Sequence, residues 1–438
     1  MSSTASEPTQ SRPDKTQAVG APSSASRSQP PLRILRVIYT LRRASGGPAE
    51  SVLRSSAALR ALGHHVEVVT ADPPDTPPPA GASFVFHPLG GEGAQTLGRW
   101  LRTERDRFDA VIVQGLWHAG HTVRTSLRGS ATPYFVFPHG MLDPTFARSY
   151  PLKHLKKQLY WWWREGRVLR DARAVCFTCE EERQRARRTF FPYAVNERVV
   201  AYGAARPPVE PAQYAALRCA FWEKFPVLRE RSLILFLGRI HHKKGLHELI
   251  DGFAQFRQTR GGEPLPALVI AGPCERSPRL PAALQKQAAA HGLSQVDLRD
   301  GESAARAASS ADIVWLPMLG DDLKWGALLA SEAFILPSHH ENFGIAVAEA
   351  MACGRPVLIS DKVNIWREIA AADAGLVAPD TAAGVHELLT RWAALTPAAR
   401  AEMGSAAREC YEQNFEINRA AASLAETIRT CLTQSSQR

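Results

Sequence analysis

Two glutamates eight residues apart are the strongest chemical signal in this chain of 438 residues. Glu341 and Glu349 lie in LPSHHENFGIAVAEAMACGRPVLIS, residues 336–360, where a strand, a polar loop and an apolar helix from about Gly344 are predicted. Free N–H groups at such a helix start, here residues 343–345, attract anions. A carboxylate can accept two hydroxyl hydrogen bonds, so Glu349 suits a ribose diol and Glu341 a sugar hydroxyl. The alternative interpretation is two solvated glutamates.

A basic turn is the second signal, in LGRIHHKKG at residues 237–245. Arg239 and Lys244 follow an apolar strand and precede a helix, so both cations are expected at the carboxyl end of that strand, where a diphosphate would lie. Arg offers a planar fork to phosphate oxygens, and Lys offers a point charge. With no carboxylate between them in the segment, the two cations repel each other unless an anion binds. The alternative is a solvated basic turn.

Two loops in the first half of the chain bring glycine and histidine to strand ends. In ASGGP, residues 44–48, Gly46 and Gly47 allow a ligand to approach the backbone at a helix start. This loop lacks the G-x-G-x-x-G dinucleotide fingerprint, and no G-x-x-x-x-G-K-[ST] phosphate loop occurs. In FVFPHGMLDP, residues 135–144, His139 follows a strand and can donate to a sugar hydroxyl. A structural loop histidine is the alternative.

Seven cysteines are spread thinly along the chain, and Cys176 and Cys179 form a C-x-x-C pair. The apolar run Ala174–Thr178 predicts a buried strand around the first of them. A zinc site needs a second pair of ligands, and a redox motif needs a helix start after a strand. Because these partners are missing, we expect neither a redox site nor a metal site.

The net charge of +10 is unevenly distributed. Residues 1–30 carry +1, residues 31–205 carry +10 and residues 206–438 carry −1. An excess confined to one folded half suggests a surface that meets an anionic partner, such as a phosphate-bearing lipid, a membrane or a nucleic acid. A merely solubilising surface is the alternative.

A basic, Trp-rich stretch runs from Arg148 to Arg173 and holds eight Lys or Arg, two acids and the run Tyr160–Trp163. Basic residues beside Trp suit a helix at an anionic membrane surface, where the rings lie at headgroup level. The alternative is Trp packed under the sheet beside a solvated basic face. The nearby segment QGLWHAGH, residues 114–121, is expected to line an acceptor pocket.

Strands and helices alternate along most of the chain, which predicts parallel sheets with helices on both faces. A Pro-rich stretch at 206–211 divides two such runs. The predicted organisation is a disordered tail at 1–30, an acceptor-side Rossmann-like domain at 31–205, a donor-side Rossmann-like domain at 206–405, and a C-terminal segment, 406–438, with one helix over about 406–432 that packs back across the domains.

The composition is that of a soluble globular chain, with 45% hydrophobic and 22% charged residues. No apolar run is long enough to span a bilayer. The tail has scattered charges and lacks the apolar core of a signal peptide. We therefore expect a cytoplasmic protein that is at most peripheral on the inner face of the cell membrane.

Taken together, four segments resemble the family 4 retaining glycosyltransferases, which have the GT-B architecture. They are SGGPAESVLRSSAALRALGHHVEVVT, VFPHGMLDP, LGRIHHKKG and PSHHENFGIAVAEAMACGRPVLIS. The resemblance covers nearly the whole chain from about residue 32. It implies two Rossmann-like domains facing a central cleft, with a nucleotide-sugar donor held mainly by the second. Asn364, Ile365 and Pro317 depart from the family pattern, in places where glycine or acidic residues are frequent.

The resemblance also implies roles for particular residues. Arg239 and Lys244 match the cations at the diphosphate, Glu341 the glutamate at the donor sugar, and Glu349 the glutamate at the ribose. His139 matches the histidine beside the reacting sugar. The implied donor-binding set is Gly46, Gly47, Arg239, Lys244, Glu341, Asn342, Phe343, Gly344, Ile345 and Glu349, and the implied catalytic set is His139, Glu341, Arg239 and Lys244.

The activity implied by the resemblance is transfer of a hexosyl group from a UDP- or GDP-sugar, with retained anomeric configuration and no metal or other cofactor. The implied acceptor is a glycan or a polyprenyl-diphosphate-linked saccharide, in cell-envelope or exopolysaccharide biosynthesis. A sugar-nucleotide epimerase or a phosphorylase of the same fold is the alternative. A basic nucleic-acid-binding protein is a weaker one, since no nucleic-acid motif is present.

Overall fold

Short runs of apolar residues form the strands of a first parallel sheet in the computed structural model. The structure describes residues 30–42, 47–90, 93–145, 151–229, 231–260, 265–275, 277–299 and 310–434. The predicted tail, except its last residue, and Gly46 lie outside these residues. The strands are β1 (Arg33–Val37), β2 (His65–Thr70), β3 (Val85–Pro88), β4 (Ala110–Gln114), β5 (Tyr134–Phe137), β6 (Ala174–Phe177) and β7 (Glu197–Val199). Their order is β3-β2-β1-β4-β5-β6-β7.

A second sheet of seven parallel strands follows, in the order β10-β11-β9-β8-β12-β13-β14. Its central strands are buried along their whole length, as a sheet covered by helices on both faces requires. The strands are β8 (Leu233–Leu237), β9 (Ala267–Ala271), β10 (Gln295–Asp297), β11 (Ile313–Leu316), β12 (Ala333–Leu336), β13 (Val357–Ser360) and β14 (Gly375–Ala378).

Helices of the first half connect these strands and cover the first sheet, with buried apolar clusters on both of its faces. They are α1 (Gly47–Ala61), α2 (Gly93–Glu104), α3 (Gly120–Ser126), α4 (Pro151–Tyr160), a π-helical turn (Trp161–Glu165), α5 (Gly166–Asp171) and α6 (Glu180–Ala186). Helix α4, the π-helical turn and α5 together form the expected long basic helix. None of the described helices is long and apolar enough to cross a membrane.

Helices of the second half, except the last of them, pack around the second sheet in one large apolar core. They are α7 (Tyr214–Lys224), α8 (Leu246–Thr259), α9 (Leu280–Ala290), α10 (Asp321–Ala330), α11 (Ile345–Ala352), α12 (Trp366–Ala371), α13 (Ala382–Ala394), α14 (Pro397–Asn414) and α15 (Ile417–Thr433). Both sheets belong to one unit, Leu32–Arg438, and the α/β expectation of two Rossmann-like halves is confirmed.

The prediction of a single C-terminal helix is wrong in its bounds. Helix α14 begins at Pro397, and the chain leaves helical geometry at Phe415, where it pairs with the segment that joins the two sheets. Ala204 donates its N–H to the Phe415 carbonyl at 2.9 Å and forms a parallel bridge with Glu416. Helix α15 then packs against α1 of the first half.

Each sheet reverses its strand order beside its central strand. In the first sheet, β2 and β3 are added on one side of β1, and β4 and the strands after it are added on the other side. In the second sheet the same reversal occurs between β8 and β12, which are neighbouring strands. Ala333 pairs with Ile234, and Phe334 pairs with Leu235. Ligands of open parallel sheets bind beyond the carboxyl ends of strands at such a reversal. The loops after β8 and β12 are therefore the expected ligand loops.

One glycine fixes how closely these two loops can approach. Gly245 has a left-handed backbone with φ of 66° just before α8, and an added Cβ would overlap the carbonyl oxygen of Pro337 after β12. Gly292 has a similar φ of 70°, yet an added Cβ would meet no atom within 4 Å. The two positions therefore separate backbone strain from steric overlap.

We expect Gly245→Ala to destabilise the protein more than Gly292→Ala does. The control should lower the free energy of unfolding by about 1–2 kcal/mol, the strain of a left-handed alanine. Gly245→Ala adds the overlap with Pro337 to that strain. Denaturant unfolding of both variants measures the difference, and equal losses would show that the two loops are not in the close contact described.

Candidate functional site

A cavity of about 370 Å³ lies between the carboxyl ends of the two sheets. Nine of the eleven residues predicted for the site contribute to its wall. They are Gly47, His139, Arg239, Lys244, Glu341, Asn342, Phe343, Gly344 and Ile345. Of the other two, Gly46 lies outside the described residues and Glu349 does not line the cavity. Residues more than 290 positions apart in the chain thus meet at one place.

The loops after β8 and β12 supply the charged part of this cavity. Arg239 is exposed and forms no ion pair with a carboxylate among the described residues. Lys244 pairs with the carboxylate of Glu341, and the Lys243 carbonyl accepts from His339 N–H at 2.9 Å. The expectation that both cations lack a nearby carboxylate is therefore wrong for Lys244, because the topology brings Glu341 to it from another strand.

The start of α11 is open toward the same cavity. Gly344 precedes the helix with a left-handed φ of 81°, a conformation that glycine adopts without strain. The first N–H groups of a helix have no intrahelical acceptor, so they are available to an anion here. The adjoining Glu341 backbone is held in place on both sides: it donates to Lys362 carbonyl at 3.1 Å and accepts from Asn364 N–H at 3.0 Å.

Glu349 occupies a different environment from the one predicted. Its side chain is 6% exposed and forms an ion pair of 2.8 Å with Lys324 of α10. No pattern in the sequence predicted this partner, because Lys324 lies on another helix and belongs to no motif. The ion pair neutralises Glu349 behind the start of α11, so a ribose hydroxyl would have to share this carboxylate with Lys324.

His139 is held in a strained turn after β5. Its φ of 50° is left-handed, and its Nε2 lies 2.7 Å from Gln114 Oε1. With that oxygen assigned to the contact, Nε2 carries the proton and Nδ1 is free to accept. Burial, reinforced by the nearby Arg36, lowers the pKa of His139 to about 3. The ring is therefore neutral and is positioned to accept, rather than donate, a hydrogen bond at Nδ1.

A buried arginine explains part of this environment. Arg36 lies in β1, and its Nη1 donates to Ser55 Oγ at 2.5 Å and to Ser56 Oγ at 3.1 Å. Burial lowers the pKa of Arg36 to about 10, which leaves it charged at neutral pH. A fixed positive charge below the cavity opposes protonation of His139 and favours an anion above it.

The two halves touch through a close backbone approach beside His139. Gly140 has a φ of 74°, and a Cβ there would lie 2.9 Å from Asn342 Oδ1. Its N–H donates to Glu182 Oε1 at 2.7 Å, and Asn342 Nδ2 donates to Thr178 Oγ1 at 3.1 Å. Burial raises the pKa of Glu182. Only glycine permits this contact between the loops after β5 and β12.

A second polar contact between the halves centres on Asp143. Its carboxylate lies 3.1 Å from Arg185 Nε and 3.4 Å from His340 Nδ1. Arg185 also donates to Asn364 Oδ1 at 3.2 Å. Asn364, a departure from the family pattern, therefore serves the contact between the halves. Burial lowers the pKa of His340.

Seven further residues line the cavity beyond the predicted set: Pro48, Gly140, Met141, Tyr202, His241, Lys243 and His340. Lys243 and His340 each stand next to a predicted site residue, so their loops carried the available signal. Met141 lies two residues after His139 in the segment FVFPHGMLDP, whereas Tyr202 lies in a segment of no distinctive pattern. Tyr202 packs edge-on against Phe343 with ring centroids 5.0 Å apart.

The C-x-x-C pair lies at a helix start after a strand, contrary to the expectation, because Cys179 follows β6 and directly precedes α6. All seven cysteines are free, and burial raises the pKa of the Cys176 and Cys179 thiols. Cys176 lies within β6, as the predicted buried strand requires. Within the part of the chain that the structure describes, no group of three His, Cys, Asp or Glu side chains could hold a metal ion.

Solved structures share this fold over most of the chain. Sucrose-phosphate synthase from Thermosynechococcus elongatus superposes with a TM-score of 0.67 at 18% identity, covering 92% of this chain and 100% of that one. Anabaena Alr3699/HepE, solved with UDP and glucose, gives a TM-score of 0.66 at 15% identity, with coverages of 91% and 100%. At these identities the likeness supports the fold alone.

Curated relatives share part of the sequence. D-inositol 3-phosphate glycosyltransferase of Jonesia denitrificans is 28% identical over 220 residues, covering 49% of this chain and 47% of the relative. Alpha-D-kanosaminyltransferase of Streptomyces kanamyceticus is 29% identical over 217 residues, half of each chain. The matched region thus spans about half the length of these relatives.

Two family profiles together account for most of the chain. The profile described as glycosyl transferase 4-like domain matches residues 46–203, and the profile described as glycosyl transferases group 1 matches residues 221–410. The first covers strands β2 to β7 and His139, and the second covers strands β8 to β14 with Arg239 and Glu341. With its two facing Rossmann-like halves, the chain therefore belongs to the family 4, group 1 glycosyltransferases and has the GT-B fold.

Proposed function

We propose that this glycosyltransferase moves a hexosyl group from a nucleotide-diphosphate sugar to a hydroxyl of a glycan or lipid-linked saccharide, with retained anomeric configuration. The observation that carries the proposal is the meeting of Arg239, Lys244, Glu341 and the open start of α11 in one cavity. Cations and helix N–H groups suit a diphosphate, and a carboxylate suits sugar hydroxyls.

A uridine or guanosine diphosphate is the donor nucleotide we favour. Anabaena Alr3699/HepE, which has the same fold, was solved with UDP-glucose. In this chain the diphosphate would lie between Arg239 and the α11 start. Lys244 would exchange the Glu341 carboxylate for a phosphate oxygen, which frees Glu341 to accept from the sugar. In this proposal, the ion pair of Lys244 with Glu341 is replaced by one contact of each residue with the donor.

The chemical step follows from charge. The bond between the sugar carbon and the diphosphate oxygen breaks, leaving positive character on the sugar and negative charge on the diphosphate. The acceptor oxygen bonds to that carbon from the face of the departing phosphate, and the acceptor proton passes to the phosphate oxygen. Preorganised Arg239 and Lys244 favour this charge separation, so we propose that no metal is required.

Donor recognition is tested by thermal unfolding with UDP, GDP, ADP and dTDP. We expect one of the first two to raise the melting temperature by mass action. Arg239→Gln should lower the affinity for that nucleotide by about tenfold, the change expected for one lost hydrogen bond to a charged group. Arg60→Gln, an exposed arginine on α1, is the matched control and should change nothing. A chain that no nucleotide stabilises would contradict the proposal.

The role of Glu341 is tested by Glu341→Gln. We expect nucleotide binding to persist while sugar transfer falls by about a hundredfold, since one well-placed polar group contributes on that scale. Glu387→Gln, at an exposed position on α13, is the control. Product analysis, with and without EDTA, also checks metal independence and anomeric configuration. Epimerised donor, or phosphorolysis in place of transfer, would instead support the alternative enzymes.

The neutral state of His139 predicts a pH effect on stability. Its pKa of about 3 in the fold is below the 6.5 of an unfolded histidine. The contribution of neutral His139 to the free energy of unfolding is complete above pH 6.5. It is lost as pH falls from 6.5 toward 3, because only the unfolded chain takes up the proton in that range. His139→Asn, which tolerates a left-handed backbone, should lose less melting temperature than the parent between pH 7 and 5. Parallel curves for the two proteins would contradict this assignment.

We also propose that the enzyme binds an anionic membrane through the outer face of α4 and the π-helical turn. Leu152, Leu155 and Leu159 recur along one side of α4 and are exposed, and Trp163 is 70% exposed. Trp161 is buried against Phe190, so the Trp run divides between packing and surface. Exposed apolar residues beside lysines match a lipid headgroup surface better than water.

Vesicle sedimentation tests this surface. Anionic vesicles should carry down more protein than neutral ones, and added salt should reverse the binding. Trp163→Ser combined with Leu152→Ser should reduce the bound fraction severalfold. Met318→Ser, at another exposed apolar position, is the control. Equal partitioning to neutral and anionic vesicles would rule the surface out.

A further inference from the structure

A second cavity of about 410 Å³ adjoins the donor cavity on the side of the first sheet. The two cavities share Met141 and Lys243 in their walls. The remaining wall residues come from the loop after β4, from α4 and from the segment after α6: Trp117, His118, Lys153, His154, Lys157, Thr189 and Phe190. A group bound here would therefore lie next to a sugar bound in the donor cavity.

The second cavity is strongly basic. Lys153, Lys157 and Lys243 contribute to its wall, and the described residues that form this wall include no aspartate or glutamate. Neither Lys153 nor Lys157 forms an ion pair with a carboxylate in the described part of the chain. Burial and the neighbouring Lys153 lower the pKa of Lys157, and burial together with Arg239 lowers the pKa of Lys243. An anion would relieve this repulsion.

One of these cations, Lys157, lies against an aromatic ring. The Lys157 ammonium lies 4.7 Å from the centroid of the Trp117 ring, within cation–π range. His154 stacks on Phe190 with centroids 4.8 Å apart. Trp117 itself has a left-handed φ of 74°, and its N–H donates to the buried carboxylate of Glu165 at 3.0 Å. Backbone strain of this kind persists only where the surroundings enforce it.

We propose that this second cavity binds a phosphate or diphosphate group of the acceptor. The inference rests on the proposed function, because it makes the neighbouring cavity the donor site. It goes further by naming the acceptor as a phosphorylated molecule held by Lys153, Lys157 and Lys243. A third, smaller cavity of about 250 Å³ shares Trp117 and His118 with it and offers a mostly apolar extension.

The phosphate could belong to a soluble sugar phosphate or to a lipid-linked diphosphate. Both sources present the same oxygens to the lysines. The two sources differ in the group attached to the phosphate. Lys153 and Lys157 are on α4, whose outer face exposes Leu152, Leu155 and Leu159. A lipid-linked diphosphate could pass its chain to that face, whereas a soluble phosphate would use none of it.

The test measures binding by calorimetry of three probes: inorganic pyrophosphate, geranyl diphosphate and the neutral alcohol geraniol. The protein is first saturated with the nucleotide that stabilises it, so that the donor cavity is filled. We expect both diphosphates to bind and geraniol to bind at least tenfold more weakly than geranyl diphosphate. Lys153→Gln combined with Lys157→Gln should weaken both diphosphates by about tenfold or more, as expected for lost hydrogen bonds to charged groups.

Lys156→Gln is the matched control, because Lys156 is on the same helix but does not line the cavity. Geranyl diphosphate binding more tightly than pyrophosphate would support a lipid-linked acceptor, and equal binding would support a soluble one. The proposal is overturned if neither diphosphate binds, or if the double variant binds them as well as the Lys156→Gln control does.

A separate arm keeps this result distinct from a failure of the donor site. If no nucleotide stabilises the protein, the same titrations are made with Arg239→Gln combined with Lys244→Gln, which removes the donor cations. Pyrophosphate binding that survives in this variant and disappears when Lys153 and Lys157 are also changed would support the basic cavity alone. Binding lost with the donor cations would instead assign the anion to the first cavity and overturn the proposal.

Discussion

The parallel pairing of β8 with β12 is the constraint on which the candidate site depends. These strands are about 100 residues apart in the chain, yet Ala333 lies opposite Ile234 in the sheet. Their carboxyl ends must therefore face the same way, and the loops that follow them must meet. Gly245 lets those loops approach without a side chain between them. The ion pair of Lys244 with Glu341 is a product of this topology, as is the proximity of Arg239 to the start of α11.

Sequence reasoning predicted what local pattern controls. The apolar run Ala174–Thr178 forms β6, which ends one residue earlier, and α11 begins at Ile345, next to the predicted Gly344. The motifs also included most of the residues that line the first cavity, because apolar strands followed by polar loops identify the ligand edge of a parallel sheet. Sequence reasoning failed where the interaction partner of a site residue comes from a distant element that carries no motif. Lys324 pairs with Glu349, and no periodicity in either helix connects the two. The break at Phe415 was missed because it is set by pairing with Ala204 rather than by a helix-breaking residue.

The charge distribution gains a physical meaning once the cavities are known. The excess of positive charge in residues 31–205 looked like a property of a whole surface. Part of it is concentrated: Lys153 and Lys157 contribute to the wall of the second cavity, and Arg36 is buried below the first. Helix α4 thus directs Lys153 and Lys157 toward the second cavity and exposes a row of leucines on its other side. Helix α4 therefore links the basic second cavity to an exposed apolar surface.

The chain crosses between the halves twice, at Ala204 and again at Phe415–Glu416, and the two crossings are hydrogen-bonded to each other. Tyr411 Oη also donates to the Ala204 carbonyl at 3.0 Å. Because the two connecting segments lie side by side, they act as one hinge. A rotation of one half about this hinge stretches neither segment, whereas a sliding movement of one half past the other would strain both. Any opening of the cleft is thereby restricted to a rotation about this point, and the reverse rotation would bring Gly140 back against Asn342 in the same register.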